Sequence, residues 1–151
     1  MRPDPVPLPS PRDETRQLRW VHSIYPMATK LGVTMRMPSI MTRTRLAHEA
    51  AAWARSLGKS AAMNDTIFRG WFERGLDIGN LNILGNLAAG IGLNAEELRH
   101  SLTTHSHLPE VLADQEQAQK YGLTGVPAFI WNGHGLVGVQ TLNSLEGLLA
   151  K

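Results

Sequence analysis

Cysteine is the residue whose absence says most about this sequence, since none of the 151 residues is a cysteine. A chain without a thiol forms no disulfide, gives zinc no sulfur ligand and supplies no thiolate nucleophile. These residues therefore cannot carry out cysteine-dependent redox chemistry, and no disulfide bond contributes to their fold.

Long apolar runs and dense charge runs are missing as well. No stretch approaches the roughly 18 consecutive apolar residues that predict a membrane-spanning helix, and the first residues lack the apolar segment of a secretory signal. We therefore expect a cytoplasmic protein with no membrane partner. Residues 1–45 carry eight basic and three acidic side chains. They contain no dense basic run with interleaved aromatic residues, so the sequence does not favour nucleic-acid binding.

Motifs of several common enzyme classes are also missing. There is no glycine-rich phosphate loop ending in Lys-Ser/Thr and no Gly-x-Ser-x-Gly nucleophile elbow. His100, His105 and His107 lie close together beside acidic residues, but their spacing matches no standard metal motif. His48 has no acid–base partner that the sequence reveals. We expect no cofactor, no metal ion and no catalytic residue in this chain.

The composition that is present is that of an ordinary globular protein. The chain is 42% hydrophobic and 19% charged, and its length suits one domain with a hydrophobic core. Prolines occupy every second position from Pro3 to Pro11, which blocks helix formation and removes hydrogen-bond donors from a strand. Residues 1–11 are therefore predicted to be a disordered, proline-rich leader, and residues 12–151 a single domain.

Most of that domain is predicted to be helical. Apolar periodicity, capping residues and glycine stops predict helices over about residues 12–31, 44–57, 59–74, 79–91, 95–103 and 109–121, and a last one that starts around Asn143 and Glu146. Pro26 should kink or split the first helix. Asn94 and Glu97 form a capping pair for the helix at 95–103.

A short β-hairpin is predicted between the last two helices. Ala128–Trp131 and residues 136–139 are apolar strands, and Asn132-Gly133 between them is a strong hairpin turn signal. The predicted fold class is therefore mainly α with a short β-hairpin, an α+β arrangement.

Three stretches occur in the order and spacing of a known family. They are Thr44 to His48 with Trp53 to Arg55, then Phe68, Arg69, Phe72, Gly75, Asp77 and Ile78, and finally Thr124 to Phe129 with Gly138 to Gln140. Together they resemble the DsbA-like thioredoxin-fold family, nearest its cytosolic FrnE-type branch, over about residues 15–150. The resemblance implies a partial DsbA-like fold with a helical insertion, lacking the first βαβ unit that carries the family's Cys-x-x-Cys helix.

The resemblance also assigns a role to one loop. In the family, the loop that corresponds to Thr124, Gly125, Val126 and Pro127 faces the redox cysteines and presents main chain to a substrate. It implies a cis Val126–Pro127 bond and a peptide as a ligand of this loop. None of the family's catalytic residues has a counterpart here, so this loop is the only functional element that carries over.

The predicted strand Ala128–Trp131 is the expected interface, made of Ala128, Phe129, Ile130 and Trp131. Two strands alone are marginal in water, and an open apolar edge invites pairing with another chain. Three arrangements would protect it: the hairpin packs on the helices, two copies pair into a homodimer, or a separate chain completes the fold.

Three functions remain open from the sequence. The chain is a DsbA-family homologue without redox cysteines and without disulfide exchange activity of its own, since exchange requires a thiolate. Alternatively, it is an oligomerising or partner-binding helical protein that uses its hairpin edge. The third alternative is a relative of the glutathione-linked isomerases and transferases.

Overall fold

A computed structural model describes residues 6–7 and 17–151. Of the predicted proline-rich leader, it describes Val6–Pro7 as a two-residue strand, β1, antiparallel to β2 (Ile40–Met41). The rest of residues 1–11 lies outside the described part of the chain. The chain divides into two compact units, Met1–Val111 and Leu112–Lys151, and the assignment of residues 12–151 to one domain stays a prediction.

The first helical segment changes its hydrogen-bond pattern next to its proline. Trp20–Ile24 form a π-helix, and α1 (Tyr25–Lys30) follows with Pro26 in its first turn. Proline has no N–H to donate, and the first turn of a helix is where that donor is not needed. The predicted kink or split at Pro26 takes the form of a change in hydrogen-bond pattern, because the backbone at Ile24 and Tyr25 stays helical.

The buried face of this segment differs from the predicted one. Apolar spacing predicts one face made of Leu18, Val21, Ile24, Tyr25 and Ala28. Ala28 is buried as predicted, but Leu18 and Val21 are exposed, and Trp20 is buried in their place. The π-helix is wider than an α-helix and shifts which residues share a face. Trp20 packs against the ring of Phe72, with 6.3 Å between the ring centroids.

Four further helices build the core of the first unit. They are α2 (Arg45–Ser56), α3 (Ser60–Phe72), α4 (Leu81–Gly90) and α5 (Ala95–Thr104), and their bounds lie within a few residues of the predicted ones. Helix α2 packs on α3, α4 and α5, and α4 packs on α3 and α5. The buried core comprises Ala47, Ala50, Trp53, Ala54, Met63, Ile67, Ile78, Leu84, Leu87, Ala88, Leu98 and Leu102.

The predicted capping pair at the start of α5 is confirmed. The Asn94 side chain accepts hydrogen bonds from the backbone N–H groups of Glu96 and Glu97, at 3.0 and 3.2 Å. In return, Asn94 Nδ2 donates to Glu97 Oε1 at 2.9 Å. These contacts satisfy donors that every helix N-terminus leaves free.

The loop before α4 is held by a polar clamp around Gly79. Thr42 Oγ1 donates to Asp77 Oδ1, and both oxygens accept the Gly79 N–H, at 2.9 and 3.0 Å. A Cβ at position 79 would lie 2.8 Å from the carbonyl oxygen of Arg43. Glycine is therefore required here by close backbone approach.

The second unit holds the end of α6 (Leu108–Lys120), the hairpin and α7. Strand β3 (Ala128–Trp131) pairs antiparallel with β4 (His134–Val137), and α7 (Leu142–Leu149) packs on both. The two turn residues, Asn132 and Gly133, have φ values of 46° and 76°, as a type I′ turn requires. The predicted α+β fold, mainly helical with one such hairpin, is confirmed.

Helix α7 begins earlier than the sequence indicated. Its cap is Thr141, whose Oγ1 accepts the Ser144 N–H at 3.2 Å, rather than Asn143. Threonine is a favoured N-cap residue because its hydroxyl accepts a backbone N–H that the first turn leaves free. With Thr141 as the cap, Asn143 lies inside the first turn. Among the described helices, none is long and apolar enough to cross a membrane.

Candidate functional site

The predicted substrate loop lies on the surface of the second unit. Thr124, Gly125, Val126 and Pro127 are all exposed, and the Val126 residue reaches 91% exposure. The Val126–Pro127 peptide bond is cis. The loop leads directly into β3, and the Pro127 carbonyl accepts the Gly138 N–H at 2.7 Å.

That hydrogen bond shows which backbone groups β3 leaves free. Hydrogen-bonded and non-bonded residue pairs alternate along an antiparallel ladder. Because Pro127 bonds Gly138 and the register continues with Ala128 opposite Val137, the pairs at Phe129 and Trp131 are bonded. Ala128 and Ile130 therefore direct their N–H and C=O groups away from β4.

Within the described part of the chain, no strand other than β4 lies beside β3. Among the described residues, β3 and β4 form a two-stranded sheet, and no further backbone hydrogen bond reaches Ala128 or Ile130. The strand carries no charged side chain, and Trp131 is 50% exposed. Chemically, this edge can bind an extended peptide backbone, but it holds no nucleophile, acid or base.

Of the three clustered histidines, His105 has a partner apart from the other two. His105 ends α5 in a left-handed conformation, with φ 53°, and its Nδ1–H donates to the Glu49 carboxylate at 3.0 and 3.2 Å. Glu49 is 1% exposed, and Arg45 Nε lies 3.7 Å from it. Nothing in the sequence indicated that these two residues pair. The one available signal was an acidic residue, Glu49, on the buried face of α2 next to Ala50.

His107 takes part in a separate hydroxyl network. Its Nδ1 lies 3.0 Å from Ser101 Oγ and 3.1 Å from Ser106 Oγ, and the two hydroxyl oxygens are 2.7 Å apart. Ser101 is buried. With Nδ1 occupied, Nε2 is the ring atom of His107 that remains for another partner.

A shallow cavity of about 520 Å³, wide open to solvent, lies beside this network. Its walls include Trp53 from α2, Glu97 and His100 from α5, and His107 from the turn after α5. Trp53 is buried for most of its surface, and nothing in the sequence indicated a cavity beside it. Among the described residues, no three His, Asp or Glu side chains lie together as metal ligands.

Comparison with known proteins places this architecture. The profile of the family described as DSBA-like thioredoxin domain matches residues 2–150. The Uncharacterized protein YwbO of Bacillus subtilis (strain 168) is 33% identical over 138 residues, which cover 86% of this chain and 67% of that protein. No comparison bears on the FrnE-type branch in particular.

A solved structure supports the same fold. It is that of a 2-hydroxychromene-2-carboxylate isomerase, which aligns with a TM-score of 0.77 at 17% sequence identity. The alignment covers 95% of this chain and 70% of the isomerase chain. At that identity the likeness shows the fold alone.

Proposed function

Because the chain belongs to the DSBA-like thioredoxin domain family, we propose that it is a member without thiol–disulfide activity whose function is protein binding. The observation that carries the first half is the absence of cysteine from all 151 residues. Disulfide exchange proceeds by attack of a thiolate on a sulfur atom. This chain has no cysteine and so supplies no thiolate. We therefore propose that its family loop at Thr124–Pro127 serves binding.

An insulin-reduction assay tests the absence of exchange activity. The purified chain with dithiothreitol should precipitate insulin no faster than dithiothreitol alone, whereas a thioredoxin control accelerates precipitation. A second assay, the reactivation of scrambled ribonuclease, should likewise give the rate without protein. Acceleration in either assay by the cysteine-free chain would reject this half of the proposal.

The second half assigns the binding to the outer edge of β3. What supports it is the pair of backbone positions, Ala128 and Ile130, whose hydrogen-bonding groups face away from β4. Addition of a strand from another chain would bond these groups and cover the apolar surface of Trp131. A second copy of this chain offers the same edge, so we propose an edge-to-edge homodimer.

A proline substitution isolates that edge. Ile130→Pro removes the N–H that faces outward but keeps the bonded pairs of the hairpin, and proline is tolerated at such edge positions. Val137→Pro is the matched control, because it removes an outward N–H from the opposite edge, on β4. Light scattering should show a dimer for the unmodified chain and for Val137→Pro, and a monomer for Ile130→Pro. A monodisperse monomer of the unmodified chain would reject the homodimer.

A completing chain is the second candidate partner. About a third of the Bacillus subtilis relative lies outside its alignment, since the match covers 67% of it. We propose that a segment similar to this unaligned part of the relative pairs with β3 when β3 is not paired with a second copy of the chain. A purified fragment with the unaligned part of the relative should bind the unmodified chain and not Ile130→Pro. Equal binding to both would show that β3 is not the contact.

An isomerase or transferase linked to glutathione is the remaining candidate. It is favoured by the structural likeness to a protein that is itself an isomerase. Isothermal calorimetry with glutathione tests it, and the Thr124–Pro127 loop is where we would place the tripeptide backbone.

We also propose, independently of the activity, that the chain is located in the cytoplasm. Fractionation of cells that express a tagged chain tests this location.

A further inference from the structure

The cavity beside α5 has a charge character of its own. The side chains that line it include the carboxylates of Glu96 and Glu97 and no lysine or arginine. Arg99 pairs with Glu96, whereas the contact of Glu97 in the structure is with a neutral amide, Asn94 Nδ2 at 2.9 Å. Among the residues that the structure describes, none forms an ion pair with Glu97.

An aromatic ring forms part of the same cavity. Trp53 is buried in the core on most of its surface, and it also lines the cavity. Because Trp53 is only 6% exposed, it contributes an apolar patch to the wall. Carboxylates beside an apolar patch favour a ligand that carries a positive charge next to an apolar body.

The hydroxyl network beside the cavity supplies a fixed polar group. Ser101 and Ser106 hold Nδ1 of His107 at 3.0 and 3.1 Å, and His107 lines the cavity. Its Nε2 can therefore form a hydrogen bond to a ligand without rearrangement of the ring. The volume of about 520 Å³ is in the range of roughly 300–1,000 Å³ that is usual for small-molecule sites.

We infer that this cavity binds a small organic cation, with an ammonium or guanidinium group beside Glu97 and an apolar body along Trp53. The site belongs wholly to the first compact unit, since its lining residues all precede Leu112. It is independent of the β3 edge and of the partner proposed there.

Three ligands with one apolar body and different charges test this inference. They are 3-phenylpropylamine, 3-phenylpropanol and 3-phenylpropanoate, titrated into the ¹⁵N-labelled chain while the Trp53 indole N–H signal is followed by NMR. The amine should bind at least about fivefold more tightly than the alcohol. The carboxylate should cause no shift at concentrations of about 10 mM, which corresponds to binding weaker than about 3 kcal/mol.

Glu97→Gln is the decisive variant. Glutamine at this position of a capping box keeps the contact with Asn94, so the variant removes the charge and leaves the helix start intact. It should weaken the amine about fivefold and leave the alcohol unchanged. Glu73→Gln, a neutralised carboxylate at the end of α3, is the control and should change neither. Added salt should weaken amine binding to the unmodified chain more than to Glu97→Gln.

Several results would overturn the inference. They are the absence of any shift with the amine, equal affinity for the three ligands, and equal losses in Glu97→Gln and Glu73→Gln. Acetyl-arginine amide in the same series tells whether a protein side chain is the source of the cation. Tighter binding than the amine would assign the site to an arginine of a protein segment, and weaker binding to a free amine.

Discussion

The two compact units of this chain differ in how much apolar surface they bury. Of the 16 buried hydrophobic residues among the described side chains, 15 lie in Met1–Val111, and Leu148 is the one in Leu112–Lys151. The first unit therefore has the core that makes a small domain stable. The second presents the backbone edge of β3 and has little buried core of its own.

Two leucine truncations should show the largest difference in unfolding free energy between the two units. Leu98 is 0% exposed in the helical core and Leu149 is 60% exposed on α7. Leu98→Ala should cost about 2–5 kcal/mol of unfolding free energy, because it leaves a cavity. Leu149→Ala should stay within about 0.5 kcal/mol of the unmodified chain. Urea unfolding followed by circular dichroism measures both, and similar losses would break the comparison.

A glycine pair tests how tightly the helical unit is assembled. In Gly79→Ala the new Cβ would meet the Arg43 carbonyl oxygen at 2.8 Å, and we expect a loss of about 1–3 kcal/mol because backbone must move. In Gly85→Ala the nearest atoms belong to the Arg99 guanidinium, a side chain that can shift. Thermal unfolding should show a smaller loss for Gly85→Ala, and the reverse order would contradict the clamp around Gly79.

The Glu49–His105 pair should contribute a moderate amount to the same unit. His105→Asn keeps a residue that tolerates the left-handed conformation and removes the partner of a carboxylate that is 1% exposed. We expect a loss of about 1–2 kcal/mol, since His105 is partly exposed. In a double-mutant cycle with Glu49→Gln, the double variant should lose less than the sum of the single losses. Additive losses would show that the pair is not coupled.

The smallest effect is expected in the second unit and has the opposite sign. Gly147 lies inside α7, and a Cβ there would meet nothing within 4 Å. Gly147→Ala should therefore stabilise the helix by roughly 0.5–1 kcal/mol. Amide hydrogen exchange in α7 measures this gain directly. If the α7 amides exchange equally fast in both chains, the helical propensity of residue 147 does not control the opening of α7.

Local signals in the sequence predicted most of the elements. Asn94 and Glu97 indicate the start of α5, and Asn132 with Gly133 indicates the hairpin turn, because each pattern acts within four residues. The face of the first helical segment was predicted correctly at Ala28 and wrongly at Leu18 and Val21, since a π-helix around Val21 is not visible in apolar periodicity. Local chemistry determines where an element lies more reliably than which side of it is buried.

One candidate site could be predicted from the sequence, and two features of the structure could not. The loop at Thr124–Pro127 was found through its likeness to a family, and its exposure needed the structure. The Glu49–His105 contact joins residues 56 positions apart, and the cavity brings Trp53 to α5. Such contacts depend on how helices pack, so neither spacing nor composition could predict them.

The side chains of β3 have a consequence for the amount of this protein that a cell can hold. Strand edges are commonly guarded by lysine or proline, and Ala-Phe-Ile-Trp contains neither. Apolar segments without such gatekeepers promote self-association in proportion to their free concentration. We therefore expect the chain to become more prone to aggregation as its concentration rises, unless another strand covers β3.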